Sequence, residues 1–555
     1  MTDGAAPLRI GLLLDGPMVP WWIVPALSDL QQRNLIRIVV AAERAPDPPG
    51  EKLSRPARWW RHRAVLGYAL MDRIERRRHQ AGPEERDIPL AELCPTAEIM
   101  VVTPQSTRLS DTILPPDVDR LRGYQLDLML RLGFRILRGP VLGAARDGVW
   151  SFHHGDNRTN RGGPEGVWEV LEDRLESGIT LQRLTEELDG GEVLAWSVSG
   201  TQRFAPVRNA RDLLRRSSRM LTRSVERMHR GADPCQVPSL ERERWSGYDR
   251  PLYRTPTNNV LGAALLGLAG RYLRQRIRNA GKTLQWSLAW HWRDAPNADD
   301  PHGVLHRYRE IPTPKDRYWA DPFLVRDGSR WWMFFEELRY ASGRGEIAVW
   351  EMGPKGPIDA PRLILERPYH LSYPQVFQYQ GRWYMLPETE AAGRVELYVA
   401  EEFPHRWSLH STLMDQTRIV DATLLEHEDH WYLFASEGTD EIEPGEELSA
   451  FVGPSPLGPF TRHPANPLVT DVRRARMAGR FFHSGNALFR PAQRCVPRYG
   501  AGIVVHEVLE LTPDRYQERV THELHPRWSR GMVGFHTINC SAGLSVIDSL
   551  RLARL

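Results

Sequence analysis

The chain has little that would tie it to a disulfide scaffold, a membrane span or nucleic acid. Its 555 residues include only four cysteines, Cys94, Cys235, Cys495 and Cys540. They are scattered, with no Cys-x-x-Cys pair, so buried or free thiols in a reducing compartment are expected, without a disulfide framework or a metal-ligand set. No run of 18 apolar residues occurs, so no spanning helix is expected. The opening MTDGAAPLRIGLLLDG lacks the basic start and long apolar stretch of a secretory leader, and a cytoplasmic location is expected. Neither charge sign dominates: 73 basic against 70 acidic residues leave a net +3, too balanced to select a nucleic-acid partner. A full Gly-x-Gly-x-x-Gly is also missing. Only Asp15-Gly16 follows the first strand-like run, at the strand end where open α/β sheets take ligands.

Enough is present for a sizeable core, since 41% of residues are hydrophobic, near the globular average. Residues 8–14 and 35–41 read as buried parallel strands, the first ended by Asp15-Gly16-Pro17. Apolar stretches at 124–137 and 149–153 alternate with polar helical segments, which argues for an α/β sheet with crossover connections. Residues 51–80 are Arg-rich and helix-like, with Trp59 and Trp60 embedded; a solvated helix and an anionic-surface contact are both open readings. Residues 231–283 read as a linker carrying an amphipathic helix, NNVLGAALLGLAGRYLRQRIRNAG over 258–281. That segment is too short to span a bilayer; it suits packing between domains or a peripheral membrane contact. The expected organisation is therefore 1–230, a linker 231–283, and a second domain over 284–555.

In the second domain the sequence repeats. ADPFLVRDGSRWWMFFEE (320–337) aligns without gaps to SYPQVFQYQGRWYMLPET (372–389) and to VDATLLEHEDHWYLFASE (420–437). Trp331, Trp383 and Trp431 fall at equivalent places, 52 and 48 residues apart. Each unit is an apolar strand, a short polar turn and an aromatic strand. One such hairpin cannot bury both faces alone, and a period near 50 predicts a β-propeller. The segment has room for five blades, with 482–508 as a degenerate fourth and 534–548 within the fifth. The repeat sets Asp321, Tyr373 and Asp421 at one position and Glu336, Glu388 and Ser436 at another, so that carboxylates from several blades converge near an axis. Paired carboxylates are what glycoside hydrolysis requires.

Residues 127–195 carry Ser151-Phe152-His153, Arg161-Gly162, Ser177-Gly178-Ile179-Thr180 and Asp189-Gly190-Gly191. In order and spacing this resembles the formyltransferase family of methionyl-tRNA, glycinamide ribonucleotide and sugar N-formyltransferases. The resemblance implies a Rossmann-like α/β domain over about 7–230, 10-formyltetrahydrofolate as cofactor, and substrate contacts at Arg161, Gly162 and Thr180. Formyl transfer to an amine needs a donor for a developing oxyanion and a base for the amine proton. His153 suits either role, with Asp189 orienting it. The family's Asn is Ser151 here, and its Ser-Leu-Leu-Pro segment is replaced by Gly155-Asp156-Asn157-Arg158, which brings His154 and Asp156 beside the site.

The second half carries Trp319-Ala320-Asp321-Pro322-Phe323, Tyr373-Pro374, Pro387-Glu388, Ser436-Glu437-Gly438, Arg490-Pro491-Ala492-Gln493, Tyr499-Gly500 and His536-Thr537. It resembles the five-bladed propellers of glycoside hydrolase family 43 and, more narrowly, the N-terminal module of plant glucosamine inositolphosphorylceramide transferases. That implies a sugar site drawing on Asp321, Glu336, Glu388, Asp421, Glu437 and His536, with Arg490 and Gln493 as a clamp. The combined expectation is a formyltransferase-like enzyme acting on an amino sugar or glycan precursor. Two alternatives stand beside it: a propeller-centred glycoside hydrolase and a non-catalytic glycan-binding protein.

Overall fold

The computed structural model describes residues 6–46, 63–78, 82, 85–107, 109–187, 190–235, 252–292, 302–439 and 442–553. Trp59, Trp60, Asp189 and the linker residues 236–251 lie outside the described residues. The chain forms two compact units, Met1–Tyr272 and Leu273–Leu555.

The first unit is built on a seven-stranded sheet. Its strands are β1 (Leu8–Leu14), β2 (Ile36–Arg44), β3 (Glu98–Val102), β4 (Leu128–Arg131), β5 (Val149–His153), β6 (Glu176–Arg183) and β7 (Glu192–Gly200), in the order β7-β6-β5-β4-β1-β2-β3. The five strands from β5 to β3 are parallel, whereas β6 and β7 add antiparallel at one edge. β1 reads as a continuous apolar run because six of its seven residues are buried, the pattern of a strand covered on both faces. Among the helices are α1 (Val24–Gln32), α2 (Leu66–Arg78), α3 (Pro206–His229) and α4 (Asn258–Asn279).

The boundary between units falls inside α4, not at the ends of a linker over 231–283. Two contacts explain this. The segment around Tyr253 bonds Arg161 and Gly163 along the backbone, and Leu261 of α4 packs on Val167 and Leu171. Both belong to the first unit.

The second unit is antiparallel throughout its sheets. Four sheets of four strands run in chain order over residues 317–365, 372–415, 418–462 and 482–524. A fifth sheet joins the unit's first long strand, Thr283–Trp292, to its last, Leu544–Ala553, over ten paired residues. The repeat seen in the sequence is reproduced in register: Arg326 faces Trp331, Gln378 faces Trp383 and Glu426 faces Trp431. Each of these hairpins also has a bulge, at Ala320/Phe323, Ser372/Gln375 and Val420/Thr423. At each bulge one residue is left-handed: Asp321 (φ 51°), Tyr373 (φ 46°) and Asp421 (φ 52°). Non-glycine residues pay for that conformation, and bulges of this kind re-aim a side chain. Apolar clusters lie between successive sheets, from the first and second through the third and fourth, and between the fifth and each of the fourth and first. This follows from hairpins that are apolar on both faces.

Candidate functional site

In the first unit a cavity of about 320 Å³ opens beside the carboxyl ends of β4 and β5, lined by Arg131, Ser151 and His153 with an apolar wall from Leu109, Ile136, Leu137 and Leu184. His153 Nε2 lies 2.7 Å from the Asn160 carbonyl oxygen. A carbonyl only accepts, so Nε2 carries the proton and Nδ1 is the basic nitrogen. Asn160 in turn donates to buried Glu169 at 2.7 Å, whose carboxyl burial pushes up. The described partner of His153 is therefore a loop carbonyl. Ser151 Oγ accepts from Arg131 Nη1 at 3.0 Å, while Arg131 also donates to the carbonyls of Phe134 and Arg135. Arg131 is the first-unit residue that sequence reading missed; as one basic residue in the run LMLRLG it carried no motif.

The rebuilt loop is seated by β6. Thr180 Oγ1 donates to the Gly155 carbonyl at 3.1 Å. A Cβ at Gly178 would come within 2.6 Å of Asp156 Cβ, so the Ser-Gly-Ile-Thr strand makes room for the loop. Asp156 forms a two-pronged pair with Arg158, at 2.8 and 2.6 Å, and Arg158 lies over the Trp196 ring. This differs from a free carboxylate at the site. His154 differs too: its ring packs against Trp22 and Phe152, and burial pushes its pKa down to about 3. It stays neutral near pH 7 and is unsuited to shuttling protons there. Arg161 Nε donates to the Asn157 carbonyl. Gly162, at φ 107°, lies so close to Tyr253 that a Cβ would meet its carbonyl oxygen at 2.3 Å. Leu252, Tyr253 and Arg254, from the segment read as linker, thus line the cavity.

In the second unit Asp321 and Asp421, aimed by their bulges, meet Glu388, Gln493 and His536 in one polar cluster. Arg476 grips Asp421 with Nε at 2.5 Å and Nη2 at 3.3 Å, and approaches Glu388 at 3.5 Å. Gln493 donates to Asp421 at 2.7 Å, and the Asp421 amide donates to Glu388 at 3.2 Å. Burial and the neighbouring Asp421 charge push the Glu388 carboxyl well above the usual range. Tyr373 bonds Thr423 and receives the Gly479 amide. His536 sits between two carboxylates, Asp548 at 2.7 Å and Asp321 at 3.2 Å. Burial alone would lower its pKa; those charges outweigh burial and hold it at about 9. Donor atoms of Asp321, His536 and Asp548 lie within 4.8 Å of one another; a metal held there would have to displace the imidazole proton.

Aromatic rings pack against this cluster. Trp286 lies against His536 with ring centroids 4.1 Å apart. Tyr499, 39% exposed, meets the same ring edge-on and lies beneath the Arg476 guanidinium. Glu388, Arg476 and Trp286 are partly exposed beside it.

Three further predicted residues are engaged in local pairs. Glu336 accepts from Tyr318 and meets His370 at 3.2 Å. Glu437 is held by Arg462 and Ser449. Arg490, with no exposed surface, forms a fork with Glu518; this corrects its reading as a sugar clamp, because the guanidinium is sealed against a carboxylate. Arg476, Asp548 and Trp286 are the residues the sequence reading missed.

Comparison with known proteins bears on the second unit. Residues 309–531 match the family described as Glucosamine inositolphosphorylceramide transferase 1, N-terminal. Proteins named glucosamine inositolphosphorylceramide transferase 1 from Oryza sativa subsp. japonica and Arabidopsis thaliana are 35% and 34% identical over 203 residues. The match covers 36% of this chain, and 27% and 26% of those relatives, so the chain spans about a quarter of their length. Among solved structures, glycinamide ribonucleotide transformylase 1 from Symbiobacterium toebii is 17% identical with a TM-score of 0.28, over 40% of this chain and 89% of that one. A family 117 glycoside hydrolase from Zobellia galactanivorans is 11% identical with a TM-score of 0.32, over 48% and 91%.

Proposed function

We propose that the chain is a sugar-modifying transferase of glycan assembly, in which the second unit holds the carbohydrate. The observation that carries this is the pair of solvent-reaching rings, Trp286 and Tyr499, beside Glu388, Arg476 and Asp421. An aromatic face takes the apolar face of a sugar ring, and charged groups beside it bond the hydroxyls. The relatives named above are transferases whose name joins glucosamine to an inositolphosphorylceramide, which supports a sugar headgroup as the class of ligand. We read the five sheets as blades of one propeller, closed by pairing of the first strand with the last; the shared apolar clusters support that reading.

This reading is tested by titrating the full chain with amino sugars and their nucleotide or inositol conjugates in a calorimeter. A saturable ligand is expected, with binding lowered at least tenfold by Trp286→Ala and by Glu388→Gln. If no carbohydrate binds, or if both variants bind as well as the native chain, the cup is not a sugar site.

For the first unit the proposal is formyl transfer to an amino sugar. The cavity is at the lower end of cofactor-pocket size, and its apolar wall of Leu109, Ile136, Leu137 and Leu184 suits a flat heteroaromatic ring. 10-Formyltetrahydrofolate would supply the activated formyl group there. His153, with Nε2 held by Asn160, has Nδ1 as the nitrogen able to take a proton from an attacking amine. Arg131 keeps positive charge at Ser151, on the side where negative charge would develop. His153→Ala is expected to slow formylation on the order of 10²–10⁴-fold, read by mass spectrometry of the sugar product. Unchanged formylation in that variant would remove His153 from the reaction.

A second reading is favoured by one observation. The raised Glu388 carboxyl is the state a glycosidase acid requires. Release of free sugar by the full chain, lost in Glu388→Gln, would select hydrolysis over transfer.

A further inference from the structure

We propose that Glu169 is a positioning residue: it carries a proton, closes an acid–amide ring on Asn160, and so fixes the imidazole of His153. The catalytic consequence rests on the reading of His153 as the group that takes the proton of an attacking amine; the assignment of the proton does not.

The three residues form a chain that starts in the interior of the first unit. Glu169, on the short helix Val167–Leu171, is 2% exposed, and Asn160 is 3% exposed. Asn160 Nδ2 donates to Glu169 Oε1 at 2.7 Å. The backbone carbonyl of the same Asn160 accepts from His153 Nε2, also at 2.7 Å. The loop is shaped around that contact. A Cβ at Gly155 would come within 2.7 Å of His153 Nε2 and 3.2 Å of the Asn160 carbonyl oxygen. The Asn160 amide is tied back to the Asp156 carbonyl at 2.8 Å. Holding the Asn160 side chain therefore holds the carbonyl that decides which nitrogen of His153 bears its proton.

The atoms left over assign the proton on Glu169. Glu169 Oε2 and Asn160 Oδ1 are both buried, and neither has a hydrogen-bond partner among the described residues. If Glu169 were a carboxylate, both would be acceptors without a donor, a costly arrangement in an interior. A protonated acid has one O–H to give. With Nδ2–H already on Oε1, an O–H on Oε2 reaches the oxygen of the same planar amide, and a single proton satisfies both oxygens. Burial favours the neutral acid in the same sense. The surrounding charges do not call for an anion either. Arg174, whose charge reaches Glu169, is taken up by Glu172, Tyr253 and the Thr159 carbonyl. His153 meets the chain through the Asn160 carbonyl. An ionised Glu169 would be a buried charge with no ion pair among the described residues, which folded chains avoid.

The test uses the full chain at pH 7. The infrared difference between the native chain and Glu169→Gln is expected to show the loss of a protonated carboxyl, with no loss of a carboxylate. Glutamine rebuilds the ring with an N–H in place of the O–H. The ¹⁵N spectrum of the histidine-labelled Glu169→Gln chain should therefore keep His153 protonated at Nε2 and bare at Nδ1, as in the native chain. Glu169→Leu should give mixed tautomers. Asn160→Ala, which removes the amide and keeps the backbone carbonyl, should do the same, and it serves where the leucine variant does not fold. In formylation Glu169→Leu is expected to lower kcat at least tenfold with KM little changed, and Glu169→Gln to recover most of that loss. Loss of a carboxylate in the Glu169→Gln difference overturns the proposal. So does a His153 spectrum that Glu169→Leu and Asn160→Ala leave native, or one that Glu169→Gln disrupts as they do. A native chain that forms no formylated product, yet shows the acid band and the native His153 tautomer, would overturn the formyl reading and support the proton on Glu169.

Discussion

Replacing Arg476 with leucine is expected to cost the second unit about 3–5 kcal/mol of stability, and to abolish binding at the polar cup. The reason is what the guanidinium leaves behind. Asp421 is buried, and Arg476 is the cation that reaches both of its oxygens, at 2.5 and 3.3 Å. Glu388 lies 3.5 Å from the same guanidinium. Without it, two carboxyls face one another with only the Gln493 amide to help. A buried pair is weak evidence for stability as a whole, yet removing one partner is severe because the other keeps its desolvation penalty. Arg476→Lys should fall between the two, since an ammonium keeps the charge and loses the fork. Combining Arg476→Leu with Asp421→Asn should recover much of the loss, because the stranded charge has gone. Urea unfolding of the full chain, followed at the transition of the second unit, reads all three. A loss below about 1 kcal/mol for Arg476→Leu, the scale of an exposed pair, or no recovery in the double variant, would mean that Asp421 is not held as an ion.

How much of this site was legible in the sequence depends on the range of the contacts. The hairpins were legible because strand alternation is local and the repeat reports it three times: Trp331, Trp383 and Trp431 keep one register. The meeting of Asp321 with Asp421 could be argued from the same repeat. Arg476 could not, since it lies between the third and fourth sheets, outside the three aligned repeats. Asp548 was hidden for another reason. It bonds the Asp321 amide across 227 positions, and that meeting exists only because the first and last strands of the unit pair. Glu437 and Arg490 were misleading in the opposite sense. Their types suited sugar chemistry, but Arg462 and Glu518 engage them from neighbouring strands, and no linear motif announces such a pairing. In the first unit the apolar runs predicted β1, β2, β4 and β5. The role of residues 252–254 in the cavity wall was invisible, because a tyrosine in a Pro- and Arg-rich stretch has no periodicity to place it.

His536 should make the stability of the second unit fall with rising pH on the alkaline side of neutrality. Its imidazole is enclosed by Trp286 and Tyr499 and flanked by the Asp548 and Asp321 carboxylates. They hold its pKa at about 9, against about 6.5 in an unfolded chain. The folded state therefore binds the proton more tightly than the unfolded one. The stabilisation is complete below about pH 6.5 and is lost as pH rises through about 9, with a size on the order of 3 kcal/mol. Burial raises Asp321 to about 7 as well, but its contribution is lost between about pH 4 and 7, so the decline above neutrality reports His536. In His536→Gln the alkaline decline should flatten, because glutamine keeps a donor and has no proton to lose. The urea midpoint measured from pH 6 to 10, together with the titration of the His536 ring proton by NMR, separates the cases. A native midpoint that is flat across that range, or a ring that titrates near its ordinary value, would show that the two carboxylates do not hold the imidazolium. The cup would then rest on Arg476, the cation that grips Asp421.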